Sequence, residues 1–198
     1  MTNHFTHHAA TAALLAAGFW IVSAVSGVWG QGSLLTEWTQ RDYAIWTTMT
    51  AIATLATAAT VAGVLLRAGG RHGVLTIAGI VLAVIGSGLL IIGTWAWPLT
   101  SLTLAAAGLV VVLRLRATGL GSLSDWLLAF AWPTGIGVGI LLEELGVGPV
   151  DSYGDHNLAW IVGFALAATM FALGLAGLGV RLRDEKTVDP VDVAHRHA

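Results

Sequence analysis

The stretch GVLTIAGIVLAVIGSGLLIIGTWAWPLTSLTLAAAGLVVVL, from Gly73 to Leu113, contains neither a charged residue nor a histidine. As a single helix it would be roughly 60 Å long, about twice the hydrocarbon thickness of a bilayer. It must therefore fold back on itself. The fold point is Trp95-Ala96-Trp97-Pro98. Proline suits the first turn of a helix, where its missing N–H is not needed, and tryptophan suits the headgroup region, with its ring buried and its N–H wet. The stretch thus reads as two membrane spans joined by a tight connection.

Working outward, four more stretches lack charge and histidine: Ala9 to Thr36, Tyr43 to Leu66, Trp126 to Leu142, and Asn157 to Val180. With about 20 apolar residues needed per span, the chain reads as an all-α integral membrane protein. Six spans are expected at about 9–29, 43–66, 74–94, 98–114, 126–145 and 157–180, as a bundle of three successive helical hairpins within one domain, 1–183. Residues 184–198, with Asp184, Glu185, Asp189, Pro190 and Asp192, read as a disordered cytoplasmic tail. Composition agrees. Of 198 residues, 56% are hydrophobic and 10% charged, and the mean hydropathy is +0.80. Soluble domains carry roughly 25% charged residues.

The arginines orient the bundle. Arg67, Arg71, Arg114, Arg116, Arg181, Arg183, Lys186 and Arg196 fall at one side, leaving Arg41 alone of the nine basic residues on the other. The positive-inside rule makes the crowded side cytoplasmic, with both termini there. Trp29, Trp38, Trp46, Trp95, Trp97 and Trp160 then form an aromatic belt at the outer boundary. The first span is preceded by histidines and no arginine or lysine, unlike a signal peptide, so it is read as retained. The bias to arginine, alanine and glycine favours a bacterial plasma membrane.

Several classes of chemistry are excluded by what is missing. The absence of cysteine removes disulfides, thiolate metal sites and cysteine nucleophiles. A net charge of −2 leaves no basic face for nucleic acid. No histidine lies within a span to ligate haem, and no lysine to form a retinal Schiff base. Serine-hydrolase, zinc-protease and phosphate-loop patterns are absent. The pair Glu143-Glu144 lacks the following arginine and helix-borne histidines of the intramembrane CAAX-type proteases. No cofactor is expected.

The residues with chemical potential are few. Glu143 and Glu144 lie roughly 25 Å along span 5 from Trp126, near its outer end. At about 100° per residue, Glu143 shares a face with Gly135 and Gly139, so it is the candidate inward carboxylate for proton or cation traffic. Pro133 interrupts the same span and is expected to bend it, as in the broken helices around transporter sites. Thr47, Thr50, Thr54 and Thr57 form one stripe on span 2, able to line a polar path or to bond neighbouring carbonyls. Arg41 is the one cation expected near Glu143. In the outer loops Glu37, Asp42, Asp151, Asp155 and His156 offer weak ligands for a hard cation. His4, His7, His8, His195 and His197 share the other side and are weaker candidates for a transition metal. The faces Gly135/Gly139 and Ala168/Ala172/Ala176, with Gly79, Ala83 and Gly86 on span 3, suit close helix packing, within the bundle or with a partner helix.

Three functions follow in order of expectation. A non-enzymatic membrane subunit or partner protein comes first, then a small-solute or ion transporter using Glu143 and bent span 5. An intramembrane enzyme with outer-face carboxylates is third.

Overall fold

The computed structural model describes residues 2–32, 40–69, 73–92, 97–147 and 158–184. They form six α-helices, α1 (Thr2–Gly32), α2 (Gln40–Gly69), α3 (Val74–Ile92), α4 (Trp97–Ala117), α5 (Trp126–Glu144) and α6 (Leu158–Asp184), with one 3₁₀ turn at Leu123–Asp125. One helix overlies each of the six expected spans, and most run several residues past it, because hydrogen bonding continues where hydropathy stops. Stretches in α1, α2, α4, α6 and the Leu123–Glu144 segment are long and apolar enough to cross a membrane; in α3 the apolar stretch is the shorter Val74–Leu89. The fold is an all-α membrane helical bundle.

Each helix packs on the next in sequence, and α6 returns to pack on α1, closing the set. The pairs α1–α2, α3–α4 and α5–α6 are in close contact, as expected of successive hairpins. Glycine makes the closest approaches possible. A Cβ on Gly135 would collide with the Gly163 carbonyl of α6, and one on Gly163 with the Gly135 carbonyl. A Cβ on Gly139 would lie 2.8 Å from the Trp160 ring. Lipid supplies no hydrophobic drive for helix association, so such backbone proximity, which multiplies van der Waals contacts, does that work instead.

Two helices end in the same way. At the end of α4 the Gly119 N–H bonds the Arg116 carbonyl and the Leu120 N–H reaches Leu115; at the end of α5 Gly146 bonds Glu143 and Val147 reaches Leu142. These are Schellman closures, which require a left-handed residue. Gly119 and Gly146 meet that need, with φ of 75° and 83°.

The centre of the bundle is aromatic. Trp20 of α1, Trp132 of α5 and Phe171 of α6 are all essentially without exposed surface. The two indoles meet edge to face at 5.1 Å, and Phe171 stands 6.0 Å from Trp20 and 5.8 Å from Trp132. Phe164 continues the cluster to Trp46 of α2, 5.6 Å away. Edge-to-face aromatic pairs contribute about 0.5–1.5 kcal/mol each beyond area burial. Apolar side chains cover the outside instead, notably Val74, Leu75, Ile77, Val81, Val84 and Ile85 of α3. An apolar exterior around an apolar core is what a bilayer solvent demands.

Candidate functional site

The threonine stripe lies in the interior. Thr50, Thr54, Thr57 and also Thr60 are buried. Each hydroxyl donates to a carbonyl three or four residues back: Thr50 to Trp46, Thr54 to Ala51, Thr57 to Ala53 and Thr60 to Ala56. With their protons so committed, their oxygens act as acceptors. Thr57 receives the Trp20 indole N–H at 3.0 Å, and Thr50 receives the Ser23 hydroxyl at 2.5 Å. Ser87 of α3 donates to the Thr54 carbonyl at 3.0 Å. The stripe therefore fastens α1 and α3 to α2. Of the two uses expected for it, the packing role is the one its geometry performs.

At the C-terminal end of α5, Glu143 and Glu144 are both exposed. Glu143 does share the glycine face, but that face meets α6 rather than an interior space. Its Oε2 accepts the Trp160 indole N–H at 3.1 Å, and the Trp160 ring covers Gly139. The inward, buried carboxylate expected from the helical wheel is replaced by a seam position, because the last turn of α5 runs beyond the packed centre. Pro133 is likewise exposed and lies within a helix that continues on both sides of it. The side chain of Arg41 and residues Asp151, Asp155 and His156 lie outside the described residues, as do Glu37 and the side chain of Asp42. Among the described residues no cluster of histidines and carboxylates has metal-binding geometry. His7 and His8 are exposed.

The proposed partner faces are consumed by the chain itself. Gly135 and Gly139 are buried against α6, Ala168 and Ala172 are buried, and Ala176 packs against the core. Two members of the expected tryptophan belt also turn inward. Trp46 is half-buried against Phe164 and Trp160 covers Gly139.

The most tightly built polar site sits at the opposite end of α5 and was not anticipated. Asp125 has no exposed surface. Its Oδ2 accepts the Ser122 N–H at 2.7 Å while the Ser122 hydroxyl accepts the Ser124 N–H, a reciprocal capping box. Its Oδ1 pairs with Nη2 of Arg181. Arg181 also donates from Nη1 to the Leu120 carbonyl at 2.9 Å and from Nε to the Gly177 carbonyl at 3.3 Å. Every group is placed to suit the helix dipoles, with a carboxylate at the start of α5 and a guanidinium in the last turn of α6. Alongside, the Arg116 guanidinium lies 5.1 Å over the Trp126 ring. The signal was present as Ser122-Leu123-Ser124-Asp125 ahead of an apolar run, the capping-box pattern.

The aromatic centre was missed too, although it had a signal. Belt tryptophans sit at span ends, whereas Trp20 and Trp132 fall well inside theirs and need burial or a partner. Trp20 finds Thr57. The Trp132 N–H, Thr100 Oγ1 and Ser101 Oγ are buried and have no hydrogen-bond partner among the described residues.

These arrangements serve to hold helices together: hydroxyl clasps between α1, α2 and α3, ring packing at the centre, and an ion pair from the buried Asp125 to the half-buried Arg181 of α6. No known protein family matches the chain, and no curated protein or solved structure matches it.

Proposed function

We propose that this protein is a non-enzymatic membrane subunit or partner protein, spanning a bacterial plasma membrane six times with both termini cytoplasmic. The observation that carries the reading is the packed aromatic centre. Trp20, Trp132 and Phe171 occupy the space between α1, α5 and α6 where a solute path would run, and the Trp20 N–H is committed to Thr57 of α2. The orientation rests on the arginines at the ends of α2, α4 and α6. The sixth span is α3, whose 19 residues rise about 28 Å, close to the hydrocarbon thickness.

A second reading, a small-solute or ion transporter, draws on the buried Trp132 N–H and the Thr100 and Ser101 hydroxyls, donors from which a polar solute could take hydrogen bonds. Proton flux separates the two. Liposomes containing the purified protein should pass protons no faster than empty ones. A protein-dependent flux that Glu143→Gln abolishes and Glu144→Gln spares would establish transport and overturn the subunit reading.

A further inference from the structure

Between the start of α1 and the end of α6 runs a groove of about 360 Å³, lined by His7, Ala10, Thr11, Leu14, Leu15, Leu182 and Arg183. Its character changes along its length. At the mouth stand Arg183 and His7, both exposed, with the Thr11 hydroxyl 3.3 Å from His7 Nδ1. The rest of the lining is apolar apart from Thr11: Ala10 and Leu182 are buried, Leu14 is half-buried and Leu15 is exposed. A cationic mouth at the arginine-rich end of a membrane bundle, opening into an apolar trough, matches one chemistry in particular.

We propose that this groove binds one anionic phospholipid from the leaflet on the arginine-rich side. The phosphodiester pairs with the Arg183 guanidinium, a fork of donors suited to phosphate oxygens. In the tautomer that carries its proton on Nε2, His7 accepts the Thr11 hydroxyl at Nδ1 and offers the Nε2 N–H as a second donor. No carboxylate lines the groove among the described residues. Asp184, the next residue on α6, is exposed and does not line it.

The lipid's tail has a track to follow. Leu15, Gly18, Val22 and Val25 are all exposed at spacings of three, four and three, so they form one stripe down α1 from the groove. Gly18 leaves open space where a side chain would stand, a notch in that stripe. An acyl chain leaving the groove lies along this stripe for roughly 15 Å, ten residues of helix rise. Basic pockets between membrane helices are suited to anionic headgroups, and an apolar continuation distinguishes a lipid from a free anion. The inference needs only that the bundle contacts lipid, and it stands independently of the subunit reading.

Native mass spectrometry of the full chain from micelles, titrated with phosphatidylglycerol or with phosphatidylcholine of the same acyl chains, tests it. Phosphatidylglycerol should bind in a one-to-one complex at least about fivefold more tightly, the contribution of roughly one well-placed cation. Arg183→Gln should remove that preference, whereas Arg67→Gln, at the same end of the bundle on α2, should keep it. Leu15→Trp, which fills the trough and leaves the charges alone, should weaken both lipids. Equal affinity for the two lipids overturns the proposal. So does a preference lost equally in Arg67→Gln and Arg183→Gln, which reports diffuse surface charge only. Competition by millimolar inorganic phosphate as strong as by phosphatidylglycerol would reduce the groove to an anion site. A protein dimer lost in Arg183→Gln would assign it to a second copy of the chain.

Discussion

Both ends of α5 carry carboxylates, yet the two ends treat them in opposite ways. At the Asp125 end the charge is fully buried, accepts a backbone N–H from Ser122 and pairs with Arg181 of α6. At the other end Glu143 and Glu144 are exposed in the last turn, where the helix dipole disfavours negative charge. Glu143 offsets this by accepting the Trp160 N–H from the first turn of α6, an N-terminal turn that favours anions. The same antiparallel neighbour thus meets one carboxylate with a guanidinium and the other with an indole. The lesson is that burial, and not the mere presence of a charge near a membrane, separates a structural clamp from a surface group.

The largest expected effect comes from breaking the buried end. Asp125→Ala leaves Arg181 and the Ser122 N–H without their acceptor and should cost on the order of 3 kcal/mol of stability. Arg181→Gln should cost a similar amount, and the double variant much less than the sum. Thermal unfolding in detergent reads all three. Glu143→Gln keeps an oxygen to accept the Trp160 N–H, so it should move stability by less than about 1 kcal/mol. Additive losses at Asp125 and Arg181, or a larger loss at Glu143, would erase the contrast between the ends.

A smaller effect lies along the face that joins them. Gly139→Leu must displace the Trp160 ring and should destabilise by about 1–3 kcal/mol, whereas Gly137→Leu meets open space and should be close to neutral. Gly119 would not serve as the neutral comparison, because its positive φ would strain any side chain there. Equal melting temperatures of the Gly139 and Gly137 variants would mean that α5 does not pack on α6 through this face.

On the proposed topology the two ends also face opposite sides of the membrane. A single cysteine at Leu123, which is 80% exposed, should resist an impermeant reagent added outside intact cells, while one at Ser152 should react. Ser122 itself is a poor reporter, because its hydroxyl caps the turn. Labelling at Leu123 from outside would reverse the orientation without disturbing the fold.

The bundle was legible because membrane solvation writes itself into the chain as uncharged runs, and Trp95-Ala96-Trp97-Pro98 marked where the longest run folds. Which face of each helix turns inward was less legible. Apolar residues cover both the core and the lipid surface, so hydropathy does not separate Phe171, buried, from Leu173, exposed. The small residues at 135, 139, 168 and 172 were recognisable as contact positions, but a stripe of glycine or alanine is the same whether its partner is α6 or another protein. Charge was misread for a related reason. Glu143 and Glu144 stand out at the end of an apolar run, while Asp125 lies in the short polar stretch between two runs. Only the return of α6 brings Arg181 to it, a contact across 56 positions that no local pattern encodes.

The proposed function requires the centre of the bundle to be packed shut between these two ends. The chain has no cysteine, so one introduced at Ala131 of α5 or Ala167 of α6, both with no exposed surface, is a unique reporter. In proteoliposomes neither should react with a small charged thiol reagent from either side, and both should react fully once the protein is unfolded. Modification of Ala131→Cys or Ala167→Cys in the folded protein would reveal an aqueous path through the aromatic core and contradict the reading of this bundle as a closed, non-transporting subunit.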